Sequence, residues 1–147
     1  MNTFLPYPDF QLSARCLDYR RLGKQRVEAW QIYLALTKIE YGWKNHPIVK
    51  MWKGYEQALL LYGLEVCLEW RKRGYKDTLA TKFCEELRIG HLRERPIMPK
   101  WLGRKDFHSA MRSNLLRKDK AYYSQYGWTE PNDLPYIWIK EKSYEIS

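Results

Sequence analysis

The sequence predicts an all-α fold: a single compact domain of three main helices plus short helices, with an extended N-terminal arm and a C-terminal tail. Apolar residues recur at helical spacing in three long segments. The prolines stand at the edges of these segments, at Pro6, Pro8, Pro47, Pro96, Pro99, Pro131 and Pro135. No repeat or Gly/Ser-rich linker divides the 147 residues. We therefore expect residues 1–147 to form one domain.

The first main helix is predicted to run from about Leu12 to Thr37. Its apolar stripe at helical spacing is expected to be Gly23, Val27, Trp30, Leu34 and Thr37. Arg21, Lys24 and Glu28 share a second face, because at 100° per residue they point within roughly 60° of one another. This predicts a carboxylate flanked by cations at the edge of the core. An ordinary surface ion pair is the alternative.

The second main helix is predicted to start at Asn45-His46-Pro47, with Asn45 as a possible N-cap and Pro47 in the first turn. It should run to Arg73, and Gly74 should end it. Its broad apolar face predicts that this is the central, most buried helix; the residues of that face are Leu59, Leu60, Tyr62, Gly63, Val66, Cys67 and Trp70.

The rest of the chain contains one shorter and one long helical segment. A shorter helix is predicted over Lys76 to Ile89, and residues 91–102 are expected to be irregular. The third main helix should span about Lys105 to Tyr126. It carries four cations that could neutralise phosphates, Arg112, Arg117, Lys118 and Lys120. The alternative is that these cations form a solvated face.

The composition falls in the range of polyanion-binding proteins, and the alternative is one of the basic proteins that never bind nucleic acid. Lys and Arg number 26 against 17 Asp and Glu, which gives a net charge of +9 and a pI near 9.5. The seven Trp and twelve Tyr could stack on bases, although an aromatic core is the alternative for most of them. Charge and aromatics together favour nucleic acid as the partner.

Several function classes lack their usual signals. No apolar stretch approaches a membrane span and the N-terminus does not resemble a secretory signal, so a cytoplasmic protein without a membrane partner is expected. Cys16, Cys67 and Cys84 form no CxxC pair and are expected to be reduced and buried. The histidines, His46, His91 and His108, are scattered, so we expect no metal. No phosphate-binding loop or dinucleotide motif predicts a cofactor.

Three blocks of sequence, in the same order and spanning nearly the whole chain, resemble the endonuclease V type pyrimidine-dimer DNA glycosylases. The first is Leu17-Asp18, then Leu22 and the helix that contains Glu28. The second is the segment YGWKNHP leading into CLEWRKRGYKDT, whose end resembles the Cys-Leu-Lys-Arg-Gly-Phe of the phage enzyme. The third is RSNLLRKD leading to the tyrosines before Gly127.

The resemblance implies a helical DNA glycosylase with AP-lyase activity that needs no metal. In this family an N-terminal α-amine attacks the sugar carbon, an imine forms, and β-elimination cuts the strand. Glu28 is at the position of the catalytic glutamate, and the attacking amine belongs to Met1 or, after Met1 is removed, to Asn2. An α-amine suits this role, since about 10% of it is unprotonated at pH 7. Neighbouring cations would keep Glu28 ionised, whereas apolar burial would favour an acid role.

The implied partner is double-stranded DNA containing a lesion or an abasic site, and no obligate protein partner is expected. The protein would be nucleoid-associated when bound. DNA contacts are expected from Arg21, Lys24, Arg26, Asn45, His46, Arg112, Arg117 and Lys118. Two alternative functions remain: a non-catalytic basic module that binds DNA or RNA, and a scaffold whose aromatic residues form a protein interface.

Overall fold

A computed structural model describes residues 1–38, 40–91 and 94–139 of the chain. In these ranges the protein forms seven α-helices and a short 3-10 helix, and it contains no strand. The all-α prediction is therefore confirmed. The helices are α1 (Phe10–Cys16), α2 (Tyr19–Thr37), α3 (Pro47–Trp52), α4 (Glu56–Lys72), α5 (Leu79–Ile89), α6 (Lys105–Lys118) and α7 (Lys120–Tyr123), and the 3-10 helix is Ser124–Tyr126.

The three longest helices, α2, α4 and α6, are the three main helices of the prediction. The predicted first helix is wrong at its start, because Leu17 and Asp18 have extended backbone between α1 and α2. A tertiary contact holds this break. The Asp18 N–H donates to the Tyr123 hydroxyl at 3.1 Å, and that hydroxyl donates to Asp18 Oδ1 at 2.5 Å.

The other two long predictions are also interrupted. Gly54, with φ of +88°, separates α3 from α4. The side chain of Asp119 accepts the Tyr122 N–H at 3.1 Å and starts α7 after α6. The predicted cap at Asn45 is wrong, since His46 Nδ1 accepts the Ile48 N–H at 3.1 Å, while Pro47 occupies the first turn as predicted.

Helix α4 is the central helix, packed against α1, α2 and α5. Its predicted apolar face is buried except for Trp70, which is partly exposed. The predicted stripe of α2 is wrong, because Val27 is 44% exposed and Thr37 is exposed. The buried residues of α2 are Leu22, Gln25, Glu28, Ala29, Ile32 and Ala35. Two polar residues occupy the inner face, and an apolar pattern cannot reveal them.

The extended N-terminal arm is present, and it is buried: Asn2, Thr3, Phe4 and Leu5 are at most 8% exposed. No strand lies beside the arm among the described residues. Side chains therefore form hydrogen bonds with its backbone N–H and C=O groups. These side chains come from α2 (Gln25), α4 (Tyr62) and α6 (His108 and Arg112). The arm is thus fixed relative to three different helices.

The expectation of three buried cysteines is correct for Cys16 and Cys67 and wrong for Cys84, which is exposed. Cys84 lies at the border of the buried face of α5, which Ala80, Phe83 and Leu87 form, and its side chain faces solvent. The shorter predicted helix begins at Leu79 instead of Lys76. In the described ranges, no helix combines the length and apolar character needed to cross a bilayer.

Candidate active site

A cleft of about 470 Å³ lies where the N-terminal arm meets α2, the start of α3, the end of α6 and the C-terminal tail. Five chain segments therefore contribute to one concave surface. Its lining residues are Met1, Asn2, Phe4, Arg20, Arg21, Lys24, Gln25, Glu28, His46, Lys118, Tyr136 and Trp138.

Glu28 is the carboxylate of this cleft, and it is only 8% exposed. Its Oε2 accepts the backbone N–H of Asn2 at 2.9 Å and the side-chain N–H of Gln25 at 3.3 Å. The ammonium of Lys24 lies 3.6 Å from its Oε1. Lys24 and Glu28 have the i,i+4 spacing of a surface ion pair. Glu28, however, is buried and accepts a hydrogen bond from the backbone of the N-terminal arm.

Gln25 connects the arm to Glu28. Its side-chain nitrogen donates to the Asn2 carbonyl at 2.9 Å as well as to Glu28. Its side-chain oxygen accepts the Phe4 N–H at 2.9 Å and the Tyr62 hydroxyl at 2.6 Å. Because Gln25 is 1% exposed, every one of these bonds is shielded from water. The positions of the residue 2 nitrogen and the carboxylate are thereby coupled.

Four cationic side chains surround the carboxylate, from Arg20, Arg21, Lys24 and Lys118. Glu28 is the only acid among the described lining residues, so the cleft attracts anions. Arg21 Nη1 lies 3.2 Å from each Asp18 carboxylate oxygen, which orients it at the rim.

Lys118 extends over the Phe4 ring, with its ammonium 5.9 Å from the ring centre. Burial lowers the pKa of Lys118, and the charges of Arg21, Arg117 and Lys24 lower it further, while Glu28 opposes the shift. The neighbouring cations repel one another, so an anion placed among them would be stabilised.

Aromatic rings also line the cleft, from His46, Tyr136 and Trp138. The His46 ring lies 5.8 Å from that of Trp138 and 5.9 Å from that of Trp43, both edge-on. Trp43 is 58% exposed, with a φ of 73° that non-glycine residues seldom adopt. Burial, followed by the charge of the chain's amino terminus, lowers the pKa of His46. The cleft thus combines basic and aromatic side chains.

A family model described as pyrimidine dimer DNA glycosylase matches residues 1–83, more than half of the chain. The chain belongs to this family. The match covers the arm, helices α1 to α4 and the first residues of α5, and with them Asn2, Gln25, Glu28 and His46. Pyrimidine dimer DNA glycosylases are DNA repair enzymes, so damaged DNA is the class of substrate. Comparison with curated proteins and with solved structures gives no significant match.

The cleft brings together seven of the residues predicted to act in catalysis or DNA contact. These are Met1, Asn2, Arg21, Lys24, Glu28, His46 and Lys118. Asn45 is exposed beside a separate groove with Lys44, Lys50 and Lys53. Three of the predicted arginines, Arg26, Arg112 and Arg117, lie outside the cleft lining.

Each of these arginines bonds to protein groups. Arg26 pairs with the buried Asp77 and lies over the Trp70 ring. Arg112 pairs with Glu130 and donates to the Pro6 carbonyl at 2.7 Å, and Arg117 donates to carbonyls of the C-terminal tail. Their contacts join α2 to the end of α4 and α6 to the tail.

The sequence did not indicate five residues of the cleft: Phe4, Arg20, Gln25, Tyr136 and Trp138. Gln25 lies three residues before Glu28 on the same helical face, and this spacing is a signal that could have identified it. Nothing in the local sequence indicates that Tyr136 reaches the cleft, because the tail folds back over a long range. The described residues include no cluster of three or more His, Cys, Asp or Glu placed to hold a metal.

Proposed function

We propose that the protein is a DNA glycosylase and AP lyase that excises a damaged pyrimidine, of the pyrimidine-dimer type, through an imine to the α-amine of residue 2. One observation carries the proposal: the Asn2 nitrogen lies 2.9 Å from the Glu28 carboxylate inside a basic cleft. With Met1 removed, this nitrogen is a primary amine, and a carboxylate within hydrogen-bond reach can take its proton.

The reaction balances with these two groups. The Asn2 nitrogen forms a bond to the sugar C1′ as the C1′–base bond breaks, and the electron pair leaves with the base. Glu28 takes a proton from the nitrogen and returns one to the sugar ring oxygen as the ring opens to the iminium. Glu28, again a carboxylate, takes a C2′ proton as the 3′ phosphate leaves and the strand is cut, and water then hydrolyses the imine to release the amine.

The surroundings support a DNA substrate. Arg20, Arg21, Lys24 and Lys118 stand around the reacting groups, where they would bind the phosphates beside the lesion. A damaged nucleotide must leave the base stack to reach a buried amine. The rings of His46, Trp138 and Tyr136 offer that nucleotide a surface for stacking.

Borohydride trapping tests the proposal, because reduction of the iminium links protein to DNA permanently. Two chains would be compared, one beginning at Met1 and one at Asn2, each released from a cleavable tag. We expect the chain that begins at Asn2 to trap on abasic duplex, with the adduct on residue 2 in peptide mass spectrometry. An adduct on a lysine would overturn the amine assignment. Salt-dependent binding without any adduct would establish the non-catalytic module instead.

Glu28→Gln is expected to lower base excision about 10²- to 10⁴-fold, since Gln cannot take up the proton of the amine. Duplex affinity should change little, because the cations that bind phosphate remain. Single-turnover excision from a thymine-dimer duplex measures the first effect and fluorescence anisotropy the second. Glu65→Gln, a partly buried acid on the far side of α4, is the control. Unchanged excision by Glu28→Gln would refute the catalytic assignment.

A further inference from the structure

The side chain of Asn2 has a hydrogen-bond donor without a partner. Its Oδ1 accepts the Thr3 N–H at 2.8 Å. Its Nδ2 is fully buried, in a residue that is only 6% exposed. This nitrogen finds no acceptor in the described parts of the chain. Two other buried polar atoms, Arg26 Nε and Asn114 Oδ1, share this condition, but neither residue lines the cleft.

An unpaired buried N–H is rare in folded proteins, and one that lines a cleft can be satisfied by a ligand. The Tyr136 phenol lines the same cleft. Burial raises the pKa of Tyr136, while the charge of Arg117 and then a hydrogen-bonding interaction with the Asn2 side chain lower it. The two side chains do not reach the geometry of a full hydrogen bond, and the amide has two N–H donors, of which the phenol could engage only one. An acceptor atom of the substrate could take the hydrogen bond that Asn2 Nδ2 lacks.

The same residue supplies the amine that attacks C1′ in the proposed function, on which this inference rests. The side-chain amide is joined to the attacking nitrogen through Cα, Cβ and Cγ, so it must stay close to the sugar carbon under attack. In a pyrimidine nucleotide, the ring nitrogen N1 is bonded to C1′, and the carbonyl O2 is on the next ring carbon. The nearest base oxygen to the reacting carbon is therefore O2.

We propose that Asn2 Nδ2 donates a hydrogen bond to O2 of the pyrimidine as the base departs. When the C1′–N1 bond breaks, its electron pair leaves with N1 and is delocalised onto O2. A donor at O2 is bound more strongly by this developing anion than by the neutral base, so it accelerates the bond cleavage. The base then takes its proton from water after it leaves.

The inference separates two steps of one enzyme. Excision expels a base and uses the donor, whereas cleavage at a preformed abasic site has no base to expel. Both steps use the same amine, the same Glu28 and the same phosphate contacts. The ratio of the excision rate to the abasic cleavage rate therefore reports on the leaving base alone.

The test uses chains that begin at residue 2, with single-turnover rates on a thymine-dimer duplex and on an abasic duplex of the same sequence. Asn2→Asp keeps the shape and the acceptor for Thr3 but loses the donor, and Asn2→Ala removes the whole amide. We expect both variants to lower the ratio by about 10- to 100-fold, in line with the loss of one donor to a developing anion. Circular dichroism shows whether each variant is folded, and the two variants test the same point independently.

Lys118→Gln provides the comparison for a lost phosphate contact, because it should weaken both reactions together and leave the ratio as it is. If Asn2 Nδ2 bonded a phosphodiester oxygen instead of O2, the Asn2 variants would behave like Lys118→Gln, and an unchanged ratio would refute the inference. Failure of the proposed function is a separate result, since the wild-type chain would then not cleave abasic DNA at all.

Discussion

At the scale of single residues, His108 shows how the arm depends on one protonation state. The His108 Nδ1–H donates to the Leu5 carbonyl at 2.7 Å, and its Nε2 accepts the Gly103 N–H at 2.9 Å. These two bonds together require a neutral ring with its proton on Nδ1. Burial is the main cause that lowers the pKa of His108 below its ordinary value. Protonation would remove the acceptor for Gly103.

We expect acid to destabilise the protein through this residue. The unfolded chain takes up a proton on His108 at higher pH than the folded chain does. The contribution of His108 to stability is therefore complete above about pH 6.5, the ordinary value for His, and is lost as pH falls through the lowered folded pKa. Urea unfolding between pH 7.5 and 5 measures this dependence.

His108→Gln supplies a side chain that can donate and accept without titrating, so its stability should vary less over the same pH range. His91→Gln, at an exposed loop position, is the control and should retain the wild-type profile. Equal slopes for the wild type and His108→Gln would contradict the role assigned to His108.

At the scale of helices, the contact between α4 and α5 depends on the absence of a side chain. A Cβ at Gly63 would lie 2.3 Å from Phe83 Cε1 and 2.4 Å from its Cζ. Phe83 is fully buried and packs edge-on against Trp30, so its ring has little room to move. Gly63 thus lets the two helices approach closely enough to bury this aromatic pair.

Gly63→Ala should destabilise the protein by about 1–3 kcal/mol, the usual cost of an overpacked core. Ala in a helix interior also gains roughly 1 kcal/mol over Gly, so the net loss of unfolding free energy should be smaller than the overpacking cost alone. Chemical denaturation measures the net change. Gly42→Ala, where nothing lies within 4 Å of the new Cβ, should be close to neutral, and Phe83→Leu in the Gly63→Ala background should recover part of the loss. A stabilised Gly63→Ala protein would show that the contact is looser than the structure indicates.

The helices themselves could be predicted because their apolar spacing is local information. Their breaks could not, since the break at Asp18 depends on Tyr123, more than a hundred positions away. The inner face of α2 was predicted wrongly because Gln25 and Glu28, both polar, occupy it. Helical spacing indicated Glu28 beside its cations and the resemblance gave its catalytic role, whereas Gln25, Arg20 and Tyr136 needed the fold. Buried polar residues at a site follow chemistry and not the apolar pattern.

At the scale of the whole molecule, the net charge of +9 acts through its distribution. Arg112, Arg117 and Arg26 hold parts of the protein together, whereas Lys24 and Lys118 border the cleft. Both kinds of cation add equally to the pI. Only those that approach phosphates release counterions from DNA and contribute to the salt dependence of binding.

We therefore expect Lys24→Gln and Lys118→Gln each to reduce the slope of log affinity against log salt concentration by about 0.9, the value for one lost phosphate contact on duplex DNA. Fluorescence anisotropy with an undamaged duplex over a series of salt concentrations measures it. The matched control is Arg88→Gln, which removes the same charge from an exposed arginine paired with Glu85 on α5. If the control lowered the slope as much as the cleft variants, binding would follow overall charge, and the cleft would not be the DNA interface.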